Sequence, residues 1–418
     1  MTATAENPAA PVDLFSPELV ADPFAAHARM REQAPVLTGS MMGGTPMWLV
    51  TRYDDVRRVL TDPQFLNNPA SVRGGSSDSR FTVMKRLNIP SDVVDYLSGK
   101  LIEIDGADHR RLRRLISRAF TARRVSGLRP RVEEITATLL DRLAEAGRDG
   151  KPVDLMESFC FQLPATVISE LVGIDEADRP DWYAWGRVLM APMEHVERLP
   201  TVFRECADHL LDVIARRRAE PRDDLVTALV QAQEDDGDRL SDREMVKLVF
   251  TLVLAGYETT MNLIGNSVLA LLENPDQLAP LRADPSRWPQ AVQELMRLGP
   301  TQFGNPRYPA EDVELGGVTI PAGAPVLPLI LSANTDPRKF DDPERLDVGR
   351  ETGTGHLGFG QGAHYCLGAP LALQVAEVAL HALFARFPDM SLAAGREEIP
   401  WVLRTGFTAV AQLPLRLG

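Results

Sequence analysis

The chain has 418 residues, with 58 acidic against 45 basic side chains and a formal net charge of -13. That length holds a large core or two ordinary domains, and so acidic a balance argues against nucleic-acid binding. Three scattered cysteines, Cys160, Cys206 and Cys366, are too few for a disulfide framework and fit a reducing, cytoplasmic setting.

Met1 to Asp13 is small, polar and proline-containing, a disordered lead-in without the apolar core of a signal peptide. No stretch approaches the ~20 apolar residues of a membrane span, so no membrane is expected. The pattern then predicts a short amphipathic helix over Asp22 to Gln33, a strand at Trp48–Val50 and a helix from Tyr53 to Leu60. Asn67 to Arg80, rich in Ser, Gly and Asn, reads as a mobile loop. Helical patterns follow over 110–120, 132–146, 157–171, 181–190, 202–218 and 225–233. Strand-like runs return at Val313–Ile320, turning at Gly316-Gly317, at Val326–Leu331 and as a last pair between Trp401 and Leu415. The expectation is a mostly α protein with small β-sheets, folded as one unit over residues 1–418.

Between these stretches lies a long helical pattern. Ser241 followed by Glu244 has capping-box spacing, and the apolar pattern runs to Leu272 before Asn274-Pro275 stops it. At 1.5 Å per residue such a helix is roughly 50 Å long and crosses a whole domain. Inside it, Ala255-Gly256-Tyr257-Glu258-Thr259-Thr260 places a glycine, a carboxylate and two threonines in one turn. Each is a local penalty in a buried helix. Three together indicate function, or a kink beside a solvent-filled gap.

The stretch Phe359-Gly360-Gln361-Gly362-Ala363-His364-Tyr365-Cys366-Leu367-Gly368 is a glycine-rich loop that ends in a cysteine at or just before a helix start. Backbone N–H groups and the positive end of the helix dipole favour a thiolate there, which suits a metal ligand. The residues alone also allow a buried, inert cysteine.

The pattern Phe-x-x-Gly-x-His-x-Cys-x-Gly resembles the haem-binding loop of the cytochrome P450 family, in its soluble, actinobacterial-type branch. The resemblance runs from about Asp22 to the end and implies a helical prism around one buried haem b. Cys366 is then the proximal thiolate ligand of the iron, with Phe359, Gly360, Gly368 and Ala255 against the cofactor. Ala255–Thr260 resembles the oxygen-binding motif of the family. It implies that Gly256 opens room for dioxygen, that Thr259 donates a hydrogen bond to the oxygen bound there, and that Glu258, where Asp is commoner, relays protons. His109, Arg113, Arg307 and His364 carry over as partners of the propionates. Glu294-Leu295-Met296-Arg297 matches the Glu-x-x-Arg of the family, with Arg345 as third partner. The sequence departs from the pattern at Gly106-Ala107, where prolines are usual and a looser helix start follows. It departs again at Thr335 and Leu373, where arginines are usual and only surface pairing is in question.

From His109 to Arg131 the chain carries nine arginines and, after Asp108, no acid. A basic patch on an acidic protein suits an acidic partner. In the family that partner is a ferredoxin, and a phosphopantetheinyl carrier bearing the substrate has the same charge. The implied activity inserts one atom of O2 into a small organic substrate, a secondary metabolite, with electrons from NAD(P)H through a reductase and the ferredoxin. The pocket lining is expected from 84–102, 182–193, 254–259, 303–306 and 405–407. Three other readings stand beside it: a peroxide-driven or rearranging relative, a haem-binding sensor without turnover, and a cysteine hydrolase using Cys366 with His364 as base.

Overall fold

The computed structural model describes residues 11–41, 44–73, 101–191, 194–232, 237, 239–299, 301, 303–351, 355–404 and 406–418, with the side chains of 403 and 404 set aside. Most of the expected lead-in, residues 74–80 of the expected loop, and pocket residues 84–100, 192–193 and 405 lie outside the described residues.

The helices, in chain order, are α1 (Pro17–Ala21), α2 (Pro23–Gln33), α3 (Tyr53–Thr61), α4 (Gly106–Ala119), α5 (Ala122–Gly127), α6 (Arg129–Ala146), α7 (Gln162–Val172), α8 (Arg179–Met190), α9 (Leu199–Ala219), α10 (Leu225–Gln231), α11 (Asp242–Glu273), α12 (Pro275–Ala283), α13 (Trp288–Arg297), α14 (Ile330–Asn334) and α15 (Ala369–Arg386). The central one is α11. Its capping box forms as the spacing predicts, with Ser241 Oγ accepting from Glu244 N at 3.3 Å and Glu244 Oε2 accepting from Ser241 N at 2.8 Å. It runs unbroken through Ala255–Thr260, so the kink alternative falls away. By length and composition alone α11 could span a membrane, which the sequence pattern had not suggested. Its apolar sides are instead buried against α7, α9 and α15.

Two glycines on α11 let neighbours close in. A Cβ at Gly256 would fall 2.5 Å from Ile168 Cγ1 on α7, and one at Gly265 would collide with Met156. The helix expected over 157–171 divides into a π-type turn, Met156–Cys160, and α7. Pro164 has no N–H to give to Cys160, and Phe161 N reaches back five residues to Met156 O at 2.9 Å.

The β-structure is small. One sheet has the order β1 (Val12–Asp13), β2 (Val36–Ser40), β3 (Met47–Val50), β9 (Val326–Pro328). β4 (Phe65–Leu66) pairs with β6 (Tyr308–Pro309), and β7 (Val313–Leu315) with β8 (Val318–Ile320) across a turn where Gly316 and Gly317 have φ of +58° and +83°. The strand expected over Val326–Leu331 ends at Pro328, and Ile330 starts α14 instead. The last pair resolves into a hairpin of β11 (Trp401–Arg404) with β12 (Phe407–Val410). β13 (Pro414–Arg416) leaves it to pair between β5 (Val153–Asp154) and β10 (Ser391–Leu392).

Candidate functional site: the cysteine loop and the central helix

The loop before α15 is built by its glycines. Gly360 has φ +69° and donates its N–H to Leu357 O at 2.8 Å, and Cys366 N donates to Phe359 O at 2.9 Å. Gly362 has φ +76°, and a Cβ there would lie 2.9 Å from Leu60 O of α3. Only glycine meets both demands. Cys366 is exposed, three residues ahead of Ala369, where α15 begins. Although reachable, it is closely surrounded by protein, and this burial pushes its thiol up. The N–H groups of Gly368 and Ala369 and the Arg113 guanidinium pull the other way. The helix start thus favours the thiolate as expected, but does not by itself secure it; a cationic metal would. Cys160 and Cys206 are fully buried, and burial pushes both thiols far up.

The loop is anchored on α13. His356 Nδ1 accepts from Gly358 N at 3.2 Å and Nε2 donates to Gln293 Oε1 at 2.9 Å, so the ring is neutral, and burial lowers its pKa to about 4. Glu294 and Arg297, both without exposed side-chain surface, form a bidentate pair at 2.7 and 2.8 Å. Their third partner is Arg350, whose Nε lies 3.1 Å from Glu294 Oε1. The expected Arg345 has an exposed side chain and lends only its carbonyl, 3.4 Å from Arg297 Nη2. Thr335 is not a surface position: it is fully buried, and its hydroxyl accepts from Arg31 Nη1 at 3.1 Å. Leu373 is half-buried against the apolar core.

Four groups predicted to meet carboxylates gather beside the loop. His109 is 4% exposed, and its Nε2 has no hydrogen-bond partner. Its ring lies 4.0 Å from that of His364. Arg307 is buried, and its Nη1 reaches only the carbonyls of Asn305 and Pro306, at 3.0 and 3.4 Å; burial drives it down to about 10. Arg113, one turn after His109 on α4, donates to Tyr365 O at 2.8 Å, and burial lowers it too. Neither arginine has an ion-pair partner among the described residues. A buried and a half-buried cation, with a buried ring nitrogen left in this state, call for an anion that the described residues do not supply.

His364 is engaged on one of its two nitrogens, which leaves Nδ1 as the ring's donor. Asn67 Nδ2, a donor, lies 2.8 Å from its Nε2, so that nitrogen accepts, and burial with the neighbouring His109 and Arg307 lowers the ring to about 4. Asn67, read in the sequence as part of a mobile loop, is the residue that was missed. Asp105 takes its N–H and Nδ2 at 3.0 and 2.9 Å, and the N–H of Asn68 at 2.9 Å. The helix start is therefore pinned rather than loose. Gly106 has φ +63°, which proline cannot adopt, so the departure from the family pattern matches a different turn.

On α11, Ala255 is exposed and Thr259 and Glu258 are half-buried. Thr259 Oγ1 donates its single hydrogen to Ala255 O at 2.5 Å. Towards the site Thr259 is an acceptor, not the donor expected. Gly256 does not open space on this side either, since its missing side chain is replaced by Ile168.

The basic run also divides. Arg111 binds Glu244, Arg124 binds Asp223, Arg129 binds Glu133 and Glu377, and Arg131 binds Glu134 and Glu170. Arg110, Arg114, Arg118 and Arg123 have exposed side chains.

A helical body with a cysteine loop, arginines without ion-pair partners among the described residues and a threonine-bearing central helix fits a haem-thiolate protein. The family profile described as Cytochrome P450 matches residues 165–287 and 288–400. Cytochrome P450 107B1 of Saccharopolyspora erythraea is 44% identical over 405 residues, covering 97% of each chain. The mycinamicin IV hydroxylase/epoxidase of Micromonospora griseorubida is 40% identical over 378 residues, 90% of each. Among solved structures, the Bacillus subtilis bacillaene polyketide synthase cytochrome P450 PksS superposes with a TM-score of 0.86 at 35% identity, covering 96% of this chain and 98% of that one. The chain belongs to the cytochrome P450 family, and is an enzyme of the monooxygenase class.

Proposed function

We propose that the chain works as one catalytic unit that hydroxylates or epoxidises a small organic secondary metabolite with one atom of O2. Electrons come from NAD(P)H through a reductase and an acidic ferredoxin. The protein is cytoplasmic and holds one haem b. The support for the substrate class is that relatives carry such names: a 6-deoxyerythronolide B hydroxylase 41% identical over 406 residues, and the mycinamicin enzyme. The observation that carries the cofactor is the gathering, beside the Cys366 loop, of His109 with its unpartnered Nε2 and of Arg113 and Arg307, which bond only to backbone carbonyls among the described residues.

In this reading Cys366 ligates the iron, while His109, Arg113 and Arg307 hold the propionates. His364, already engaged by Asn67, orders the His109 ring by packing against it, tilted by 31°. Phe359, Gly360, Gly368 and Ala255 lie against the haem, which supplies oxygen activation when bound. Glu258 brings protons towards Thr259, whose hydroxyl accepts from water or substrate on the open side of α11. A cysteine hydrolase is disfavoured, because the His364 Nε2 lone pair is already engaged by Asn67 and burial lowers the basicity of the ring, which makes it a poor base for Cys366.

The test is spectroscopic. The reduced carbon monoxide complex should show a thiolate-type absorption that Cys366→Ala abolishes and Cys160→Ala and Cys206→Ala preserve. An unchanged spectrum in Cys366→Ala overturns the assignment. Dependence of product on an electron supply separates the monooxygenase from a sensor or a peroxide-driven relative.

A further inference from the structure

Asp105 is an acid beside a site that takes carboxylates. It is the N-cap residue of α4, yet its side chain accepts none of that helix's N–H groups. Aspartate is among the best N-caps, so its carboxylate is drawn away by something else. It turns to the residues that follow β4. Asn67 N donates to both of its oxygens at 3.0 Å, Asn68 N to Oδ2 at 2.9 Å, and Asn67 Nδ2 to Oδ1 at 2.9 Å.

Strand register carries Asn67 to the site. Leu66 of β4 pairs with Tyr308 of β6, so one step further on the ladder sets Asn67 opposite Arg307. Asn67 is 6% exposed. Its Nδ2 lies 2.8 Å from His364 Nε2, while its buried Oδ1 has no partner.

An amide can be turned over, and a turned Asn67 would offer Oδ1 to the ring instead. Asp105 opposes that. The amide oxygen would then face Asp105 Oδ1 across the 2.9 Å where Nδ2 now donates. The acid therefore fixes the amide, and the amide fixes the ring. His364 Nε2 has to accept, so the neutral ring carries its hydrogen on Nδ1. Nδ1 has no hydrogen-bond partner among the described residues. The ring packs against His109 with centroids 4.0 Å apart, and so belongs to the same cluster as the idle Nε2 of His109.

We propose that Asp105 and Asn67 set the tautomer of His364 and so make its Nδ1–H a further donor to the carboxylate that His109, Arg113 and Arg307 hold. With the hydrogen on Nε2 instead, Nδ1 would turn a lone pair on that carboxylate and repel it. The neutral ring adds a hydrogen bond to the cluster without adding a charge. Asn67 and Asp105 are positioning residues that act through His364. The inference rests on the haem-thiolate reading above.

Three measurements test it. In the reduced carbon monoxide complex, which is diamagnetic, NMR of isotope-labelled histidine rings should find His364 protonated at Nδ1 and bare at Nε2. Loss of the signals in His364→Phe assigns them. A ring protonated at Nε2 in the unsubstituted enzyme overturns the proposal, whatever any variant does. Asn67→Leu should leave the ring exchanging between both neutral tautomers. So should Asp105→Asn, which still accepts from backbone N–H groups but lets the Asn67 amide turn over. A ring that keeps its hydrogen on Nδ1 in both variants overturns the control of the tautomer. Asn67→Leu should also speed haem transfer to an acceptor protein about fivefold, the scale of one neutral hydrogen bond. Beside His364→Phe the same substitution should change that rate by less than a factor of about two, as expected when the residue acts only through the ring. An equal fivefold effect there would mean that Asn67 merely ties down the chain after β4, and overturns the role. Absence of the thiolate-type carbon monoxide absorption in the unsubstituted enzyme would instead sink the haem-thiolate reading, and the ring nitrogens of the chain would still judge Asn67.

Discussion

At the residue scale the site is a collection of groups held in states they would not choose alone. Arg307 is a buried cation facing backbone carbonyls, and His109 a buried ring with an idle nitrogen. Both are costly until a carboxylate arrives. Arg307→Met is therefore expected to act with opposite signs on two forms. The cofactor-free chain should gain roughly 1–3 kcal/mol of stability, the cost of an imperfectly paired buried polar group. The loaded enzyme should release haem faster. Chemical unfolding of the two forms, together with haem transfer to an acceptor protein, reads both effects; a loss of stability in both would show that Arg307 is simply structural. Thr259 carries the second prediction. With its hydroxyl removed, Thr259→Ala should bind haem and substrate and consume NAD(P)H, but leak reducing equivalents to peroxide. Glu258→Gln should slow product formation by at least roughly tenfold, since general acid–base contributions are typically ~10²–10⁴-fold. Peroxide and product measured against NAD(P)H decide both, and full coupling in Thr259→Ala would remove it from the mechanism.

At the element scale, the crossing of α11 over α7 and the anchoring of the cysteine loop on α13 do the positioning. Gly256 belongs to the crossing. Gly256→Ala pushes a methyl into Ile168, so it should cost about 1–3 kcal/mol, the usual penalty of overpacking, despite alanine's better helix propensity. Ile168→Ala in the same chain should restore part of that loss, and a thermodynamic cycle measures it. Strict additivity would return Gly256 to the oxygen side. The loop anchor has a pH signature. His356 titrates at about 4 in the folded protein, below its unfolded value of about 6.5. The unfolded chain therefore takes up a proton first as pH falls. The neutral ring contributes stability that is whole above pH 6.5 and is lost progressively towards pH 4. At pH 5 the loss is roughly 2 kcal/mol. Denaturation of His356→Gln should show a shallower decline than the unsubstituted enzyme over that window. Parallel curves would assign the acid sensitivity elsewhere.

At the scale of the whole molecule, the field is that of an acidic protein with a local basic face. Arg110, Arg114 and Arg118 are exposed on α4, the helix that also presents His109 and Arg113. Charge reversal at these three should slow turnover supported by an acidic ferredoxin and flatten its dependence on salt, leaving the haem spectrum alone, because rim charges act mainly on association rate. Turnover indifferent to all three reversals would move the docking face off α4.

Much was legible in the sequence because it is local or periodic. The α11 capping box is set by side chains three residues apart, and the glycines of the Cys366 loop by the backbone angles they alone adopt. The apolar periodicity of α11 likewise needs no partner to be read. What only the tertiary structure decided depends on residues far apart in the chain. Arg350, not Arg345, completes the Glu294–Arg297 network, because the turn after Pro343 aims one side chain inward and the other to solvent. Asn67 meets Asp105 and His364 across 38 and 297 positions. Gly256 faces Ile168 and Thr259 gives its hydrogen to Ala255, so the motif was correctly located while the direction of its groups was not. Pattern specifies which residues share a face. Which neighbour that face meets, and which hydrogen bonds are already spent when it gets there, is settled only when the helices cross.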